Sequence, residues 1–226
     1  MFLRYHRNQI SRVYPKGQRL DSSNYHPIAL WNTGSQMIAL NFQTPDKPMQ
    51  LLLGKFRDNG ACGYILKPDF MLREDFDPND AGTCVGVESK LISLRIIGAR
   101  HLFKSGKTSL TSPLVEVELL GASFDCGIKH RTKAVADNGM NPMWNEICEF
   151  HVQNPAFAIL RFEVQDEDMF GEKNFLGQAV FPVNCLRTGY RSIPLKNKFS
   201  EELELASLLV HIAIRSEGEI REREIR

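Results

Sequence analysis

An arginine and a tyrosine two residues apart could form one wall of a binding site. Arg12 and Tyr14 lie in the short β-type run SRVYP, residues 11–15. On a strand, residues two apart share a face. A guanidinium group pairs with phosphate through two hydrogen bonds, and an aromatic ring covers apolar ring surface. The pair therefore predicts a site for an anionic, ring-shaped ligand, although such pairs are also common on solvent-facing strands.

A second group of polar residues offers oxygen ligands for a divalent cation. Asp166 and Asp168 lie two apart at a predicted strand end, where both can point into one loop. The nearby oxygen donors are Glu167, Glu172, Asn174 and, from a separate turn, Asn138. Ca²⁺ takes six to eight such oxygen ligands. The alternative is a polar hairpin that binds no metal.

A basic run offers a third candidate site. The segment KHRTK places Lys129, Arg131 and Lys133 on one face of a predicted strand. Each such charge near a membrane surface contributes about 1 kcal/mol of attraction to anionic lipid. The alternative is a solvated strand face, and the residues alone leave both open.

Composition narrows the function classes. The chain has 226 residues and a net charge of +1, which argues against a nucleic-acid binder that works by bulk charge. None of the five cysteines forms a C-x-x-C pair, so neither a zinc site nor a disulfide framework is indicated. No run reaches the roughly 18 apolar residues of a membrane span, and no signal peptide is visible. A reducing, cytosolic setting is the simplest interpretation.

Two parts must position these residues. Four segments with apolar–polar alternation predict strands at 91–97, 114–120, 160–165 and 208–215. Weaker strands are predicted at 130–137, 145–152, 176–183 and 190–196. About eight strands suit a two-sheet antiparallel sandwich.

The first 73 residues follow a different pattern. Three short apolar strands, at about 11–15, 37–41 and 63–67, are separated by about 20 residues, which predicts three β/α units. A helix could start at Ser22 or Ser23, although Pro27 interrupts it. Three units cannot close a barrel, so this half looks incomplete.

Residues 88–216 resemble a C2 domain, an eight-stranded sandwich whose end loops often bind Ca²⁺ and phospholipid. The resemblance rests on N-P-x-W-N-E and on D-x-D followed by N-F-L-G. Two carboxylates of the usual calcium pattern are missing, because Ser112 precedes Pro113 and Asn174 replaces an Asp. The resemblance therefore implies a weak single calcium site, or none, at Asn138, Asp166, Asp168 and Asn174.

The order of motifs resembles the gamma class of phosphoinositide-specific phospholipase C, from the end of its Y half through the C2 domain. The strings that carry the resemblance are S-R-V-Y-P, D-S-S-N-Y, A-L-N-F-Q-T-P and C-G-Y-I-L-K-P. That family splits a TIM-type barrel into X and Y halves and cleaves phosphatidylinositol 4,5-bisphosphate with the help of Ca²⁺. The resemblance implies that Arg12 binds a headgroup phosphate, that Tyr14 lies against the inositol ring, and that the catalytic residues belong to the X half.

The expected fold is β-rich: a partial TIM-type β/α barrel of three units followed by an eight-stranded antiparallel C2 sandwich. The expected divisions are an incomplete Y-box catalytic domain at 1–73, a linker at 74–87, the C2 domain at 88–216 and a charged, helical tail at 217–226.

The expected partners are an anionic phosphoinositide membrane and the upstream X half and regulatory regions, with no nucleic acid. The expected location is cytoplasmic, at the inner face of the plasma membrane. We expect no phospholipase activity from this chain alone. Two alternatives stay open: a non-catalytic C2 adaptor that binds membranes or proteins, and a C2 domain that mainly braces the barrel.

Overall fold

The computed structural model describes residues 2–102, 111–168, 170–216 and 218. The helices are α1 (Phe2–Asn8), α2 (Ile28–Asn32) and α3 (Lys47–Lys55), with 3₁₀ turns at Asn59–Ala61, Asp69–Leu72, Ala81–Thr83 and Val183–Cys185. The strands are β1 (Arg12–Val13), β2 (Met37–Ile38), β3 (Lys90–Arg100), β4 (Pro113–Leu120), β5 (Lys129–Arg131), β6 (Met143–Val152), β7 (Ile159–Glu167), β8 (Lys173–Pro182), β9 (Gly189–Lys196) and β10 (Glu202–Ser216). Within these ranges no helix is long and apolar enough to cross a membrane. The predicted helical tail lies, apart from Gly218, outside the described residues.

Strands β3 to β10 form the predicted eight-stranded antiparallel sandwich. The strand order is β5-β4-β7-β8-β9-β10-β3-β6, and β8 meets β9 only where Gln178 pairs with Lys196. The sheet therefore folds into two layers of four strands, β5-β4-β7-β8 and β9-β10-β3-β6. A core of alternating side chains fills the space between them, with Ile92, Val117 and Phe162 fully buried.

Strand β4 differs from the others because both of its faces are buried. Glu116 and Glu118, which alternate with the apolar residues, are each less than 10% exposed. Lys129 from β5 and Lys47 from α3 cover them and form ion pairs with them. Buried carboxylates persist where a cation satisfies their charge.

The predicted strand at 130–137 is mostly wrong, since β5 ends at Arg131. Beyond that point the backbone N–H of Lys133 donates to a side-chain oxygen of Glu146 at 3.0 Å rather than to a strand carbonyl. Lys133 therefore lies outside the strand that carries Lys129 and Arg131.

The N-terminal part forms two of the three predicted strands. β1 and β2 pair in parallel, with Arg12 opposite Met37 and Val13 opposite Ile38. The strand predicted at 63–67 does not form, because Gly60 and Gly63 turn the chain at positive φ and Asn59 bonds the carbonyl of Tyr64.

The helix predicted from Ser22 or Ser23 is also wrong. Ser22 has φ of 57°, and its carbonyl accepts hydrogen bonds from Asn41 and Thr44 instead of beginning a helix. Helix α2 begins at Ile28, directly after Pro27, a residue that cannot donate a helical hydrogen bond.

Apolar contacts join the N-terminal part to the sandwich. Trp31 and Leu51 pack with Ile159 and Val180 in one buried cluster. Phe76 lies in the segment between the two parts. It packs in a second buried cluster with Phe70 of the N-terminal part and Phe157 of the sandwich. The segment at 74–87 is thus anchored by burial at Phe76 and Cys84.

Candidate functional site

Arg12 and Tyr14 lie on one exposed face at β1. The guanidinium carbon of Arg12 lies 5.2 Å from the centroid of the Tyr14 ring, within cation–π range. Tyr14 is 63% exposed, whereas Val13, between them, packs against the buried cluster that contains Ile28 and Trp31. Both ligand-type groups are therefore open to solvent on a strand that is fixed from behind.

The phenol of Tyr25 links β1 to the chain that follows β2. Its hydroxyl lies 3.2 Å from the carbonyl oxygen of Val13 and 2.8 Å from that of Ala39, so its one O–H hydrogen can donate to either oxygen. Burial raises the pKa of Tyr25, an effect that the charge of Arg12 only partly offsets. The phenol therefore stays protonated and keeps its role as a donor.

An asparagine pair fixes the loops beyond β1 and β2. The backbone N–H of Asn41 donates to the side-chain oxygen of Asn24 at 2.6 Å, and the Asn24 amide donates back to the Asn41 carbonyl at 3.2 Å. Asp46 accepts from both the backbone and the side chain of Asn24 and also caps α3 through the N–H of Met49. The loops after β1 and β2 and the start of α3 thus form one polar unit.

A buried histidine anchors the chain that enters β1. The Nδ1 atom of His6 lies 3.1 Å from the Thr33 carbonyl, and its Nε2 atom lies 2.6 Å from the Ser11 hydroxyl. Burial lowers the pKa of His6, which favours the neutral ring with Nδ1 donating and Nε2 accepting. Lys67 donates to the His6 carbonyl as well.

The sequence alone does not assign a role to Tyr25, Asn24 or His6. Asn24 and Tyr25 belong to the string D-S-S-N-Y, residues 21–25, which is the one signal in the sequence that could have pointed to them.

The basic strand is neutralised by acidic neighbours. Lys129 lies 3.2 Å from carboxylate oxygens of both Glu116 and Glu118, and Arg131 pairs with Glu116. Burial alone would raise the pKa of Glu116, but hydrogen bonds from Arg131 and Lys129 outweigh it and hold the pKa below its usual value. Two of the three cations therefore already have partners, and a lipid-binding role for Lys129, Arg131 and Lys133 stays a prediction.

The first aspartate of the acidic loop is turned toward the sandwich. Asp166 is 5% exposed, lies opposite Asn174 across β7 and β8, and accepts the backbone N–H of Ser112 at 2.8 Å. Ser112 also accepts the backbone N–H of Asp137 at its hydroxyl, 3.2 Å away. The loops around residues 112, 137 and 168 therefore meet at one end of the sandwich.

The other predicted ligands bond within their own turns. One oxygen of Asp168 accepts the N–H groups of Phe170 and Glu172, at 2.9 and 2.8 Å. Asn138 exchanges two hydrogen bonds with Asn141. Across the described ranges no three acidic, histidine or cysteine side chains converge as metal ligands. A metal role for Asn138, Asp166, Asp168 and Asn174 stays a prediction.

The same end of the sandwich presents apolar side chains to solvent. Phe170, in the loop after β7, is 86% exposed, and Met140, in the loop before β6, is 48% exposed. Single exposed apolar residues are common, but an aromatic ring at a loop tip rarely contributes to folding.

Polar contacts join α3 to the outer surface of the β5-β4-β7-β8 layer. Lys47 pairs with Glu118 at 2.6 Å, and Gln50 accepts two hydrogen bonds from the buried Arg161, at 3.1 and 3.0 Å. Arg161 also pairs with Glu163 at 2.5 Å. These groups are mutually satisfied, which is the condition for burying them without a large penalty.

The close approach of α3 to β8 depends on a glycine. A Cβ atom at Gly54 would lie 2.1 Å from the Cγ1 atom of Val180. Next to this contact the guanidinium of Arg57 lies 4.2 Å from the Phe181 ring centroid and donates to the Val180 carbonyl. The helix thus sits directly on the sheet.

Two family profiles match most of the chain. Residues 1–70 match the Y domain of phosphatidylinositol-specific phospholipase C, and residues 90–197 match the C2 domain.

Curated relatives and solved structures agree with these profiles. The 1-phosphatidylinositol 4,5-bisphosphate phosphodiesterase gamma plc-3 of Caenorhabditis elegans is 49% identical over 93% of this chain, and the gamma-2 enzyme of Rattus norvegicus is 48% identical over 94%. The chain spans about a sixth of the length of these two relatives, 16% and 17%. The crystal structure of PLC21 from S. officinalis superposes with a TM-score of 0.83 at 40% identity, covering 95% of this chain and 27% of that one.

Proposed function

This chain belongs to the phosphoinositide-specific phospholipase C family, and we propose that it supplies the substrate wall and the C2 domain of an enzyme that hydrolyses phosphatidylinositol 4,5-bisphosphate to diacylglycerol and inositol trisphosphate. The observation that carries this proposal is the exposed Arg12–Tyr14 pair, fixed from behind by Val13 and Tyr25. The names of the relatives, which are phosphodiesterases for this lipid, support the choice of substrate.

In this proposal Arg12, Tyr14 and Tyr25 have separate roles in substrate binding. Arg12 pairs with a headgroup phosphate through two hydrogen bonds, and Tyr14 covers one face of the inositol ring. Tyr25 keeps β1 in place while these contacts form. Family membership suggests calcium dependence, and the ion would stabilise negative charge in the reaction. Its ligands and the catalytic histidines would come from the X half, outside this chain.

The C2 domain and the family imply membrane binding as part of a larger enzyme, and we propose a peripheral position at the inner face of the plasma membrane. Phe170 and Met140 support it, since both are exposed at one end of the sandwich. An aromatic ring at a loop tip suits the lipid headgroup region. Lys133, whose side chain has no ion-pair partner in the described chain, would contact anionic lipid at the same time.

Reconstitution tests the enzymatic proposal. This chain would be expressed together with the X half of the C. elegans relative, and release of inositol trisphosphate from vesicles would be measured. We expect release from the pair, and none above background from either part alone. Release by this chain alone, or no release by a pair that copurifies, would contradict the proposal.

An adaptor role is the second candidate, because the eight strands of the sandwich are complete within this chain. Sedimentation with phosphatidylserine vesicles, with and without Ca²⁺, tests it. We expect binding that Phe170→Ser weakens at least fivefold, whereas Val85→Ser, which removes an exposed apolar side chain in the segment before β3, leaves it unchanged. If the Phe170→Ser and Val85→Ser variants bound vesicles equally well, the loop that carries Phe170 would not be the membrane contact.

A further inference from the structure

Four residues from neighbouring strands form a row across the outer face of the β9-β10-β3-β6 layer. The strand register puts Tyr190 opposite His211, His211 opposite Arg95, and Arg95 opposite Ile147. The rings of Tyr190 and His211 meet edge to face with centroids 4.7 Å apart. Tyr190 is 69% exposed and Ile147 is 62% exposed, so the row is open to solvent. We call this surface, with Leu209 and Arg215 beside the row, the outer face.

The outer face carries uncompensated positive charge. The Nε atom of Arg95 donates to the side-chain oxygen of Asn145 at 2.8 Å, which holds the guanidinium over the sheet. Within the ranges described, no carboxylate lies within ion-pairing distance of Arg95 or Arg215. The acidic residues on the paired part of this face are Glu149 and Glu202, and Glu202 lies opposite Lys196. The other layer differs, because its carboxylates Glu116 and Glu118 are paired with cations.

The kinds of residue on the outer face are those of a protein interface. Tyrosine, arginine and large aliphatic side chains are enriched at the centres of such interfaces, whereas lysine is depleted. The outer face has Tyr190, Arg95, Arg215, Ile147 and Leu209 around its centre, and its one paired lysine, Lys196, lies at the far end of β9 opposite Glu202. Four strands about 4.8 Å apart give a width of about 15 Å, enough for one extended or helical segment.

The outer face stays accessible when the N-terminal part is docked. Helix α3 packs on β7 and β8, in the other layer, where Gly54 contacts Val180. The proposed substrate wall and the outer face therefore lie on different parts of the molecule and can be occupied independently.

We propose that the outer face docks an acidic segment of a partner protein. Carboxylates of that segment pair with Arg95 and Arg215, and an apolar side chain packs against Tyr190, Leu209 and Ile147. The opposite charge of the partner provides attraction and orientation, and the aromatic and aliphatic centre provides most of the affinity.

A designed peptide tests this proposal on the intact chain. The probe is a fluorescein-labelled 12-residue peptide of alternating Glu and Val with one central Trp, and its binding is followed by fluorescence anisotropy. A peptide with Lys in place of every Glu is the charge control. We expect the acidic peptide alone to bind, with amide shifts in the nuclear magnetic resonance spectrum confined to β3, β6, β9 and β10.

Three variants separate the outer face from general charge. Arg95→Glu and Tyr190→Ala should each weaken peptide binding about tenfold, whereas Arg4→Glu, an exposed reversal on α1, should change it less than twofold. Unchanged thermal midpoints would show that the variants are folded. Failure of the acidic peptide to bind, or equal loss with Arg4→Glu, would overturn the proposal. Loss of phosphatidylserine vesicle binding in Arg95→Glu without loss of peptide binding would assign the outer face to the membrane instead.

Discussion

Arg12 and Tyr14 face outward because the backbone between them is held by its neighbours. The N–H of Ala39 donates to the Val13 carbonyl at 2.8 Å, and the N–H of Met37 donates to the Ser11 carbonyl at 3.1 Å. Tyr25 adds a side-chain contact to the same carbonyl of Val13. The backbone that carries both side chains is therefore held by hydrogen bonds along one edge and by packing of Val13 on its inner face. Because this backbone is already ordered, less entropy is lost when a ligand binds.

Lys55 carries a charge in an unfavourable place. Burial lowers its pKa to about 8, and its Nζ atom lies 5.3 Å from the centroid of the Trp31 ring. Because the folded pKa lies below the unfolded value of 10.5, the unfolded chain holds more protons between the two, and stability rises with pH across that window. The charged form of Lys55 therefore destabilises the fold at neutral pH.

We predict that Lys55→Met stabilises the chain at pH 7 by about 1 kcal/mol, because partial solvation and the Trp31 ring already offset some of the cost. The advantage over wild type should shrink as pH rises from about 8 toward 10.5. Urea unfolding at several pH values measures both effects, with exposed Lys16→Met as the control. A difference that is independent of pH would contradict this account.

Glu118 makes the stability of the fold depend on pH in the acidic range, whereas Lys55 does so in the alkaline range. Burial raises its pKa, but hydrogen bonds and charges from Lys47 and Lys129 outweigh this and keep the pKa below the usual 4.5. The lowered folded pKa means that Glu118 stabilises the fold above the unfolded value and that this stabilisation is lost as pH falls below about 4.5.

We predict that Glu118→Gln destabilises the chain at pH 7 by about 2 kcal/mol, since it leaves Lys47 and Lys129 without a full counter-charge. Urea unfolding at pH 7 and pH 3.5 gives the comparison, and the deficit should be smaller at the lower pH. Glu204→Gln, at an exposed carboxylate, is the control and should change little. An equal deficit at both pH values would show that shape, not charge, is responsible.

Helix α3 determines how the two parts of the chain pack together. Its first turn is capped by Asp46, its middle contributes the buried Leu51, and its last turn brings Gly54 onto Val180. A helix this short is not stable by itself in water, so these contacts with the sheet hold it.

We predict that Gly54→Ala destabilises the chain by about 1–2 kcal/mol, although alanine is the better helix former. The added methyl group would collide with Val180 and push α3 away from β8. Gly17→Ala, where no atom lies within 4 Å of the new carbon, should change the unfolding free energy by less than about 0.5 kcal/mol. In a Gly54→Ala/Val180→Gly double variant, which removes both colliding carbons of Val180, the cost should be smaller than the sum of the two single changes, and a strictly additive cost would contradict the collision.

The strands of the sandwich could be predicted because local pattern and burial coincide there. In β3 and β7 the apolar residues alternate and fill one core, as the sequence indicates. The end of β5 could not be predicted, because Glu146, on another strand, takes the N–H of Lys133. The segment at 63–67 turns instead of forming a strand, because Gly60 and Gly63 adopt positive φ and the Asn59 amide donates to the Tyr64 carbonyl.

The candidate site was predictable to a similar degree. The spacing of Arg12 and Tyr14 correctly predicts a shared face, since that follows from strand geometry alone. The spacing of Lys129 and Arg131 does not reveal that Glu116 lies beside both, because β4 pairs with β5 only in the folded chain. The outer face is likewise invisible in the sequence, since its four central residues come from four strands.

Buried apolar contacts and an ion pair join the Y-domain segment to the C2 domain. Leu51 and Trp31 share a buried cluster with Ile159 and Val180, and Lys47 pairs with Glu118 at the same interface. The C2 domain therefore fixes the position of the segment that bears Arg12. In a larger enzyme, this connection would transmit the orientation of the C2 domain on a membrane to the substrate wall.

We propose that Arg12 recognises a headgroup phosphate. The most direct test is kcat/KM of the reconstituted pair, this chain with the X half, for phosphatidylinositol 4,5-bisphosphate and for unphosphorylated phosphatidylinositol. We predict that Arg12→Ala lowers kcat/KM for the bisphosphate at least 30-fold, about 2 kcal/mol, and for phosphatidylinositol less than threefold. An equal loss for both lipids, or no loss for the bisphosphate, would contradict the claim.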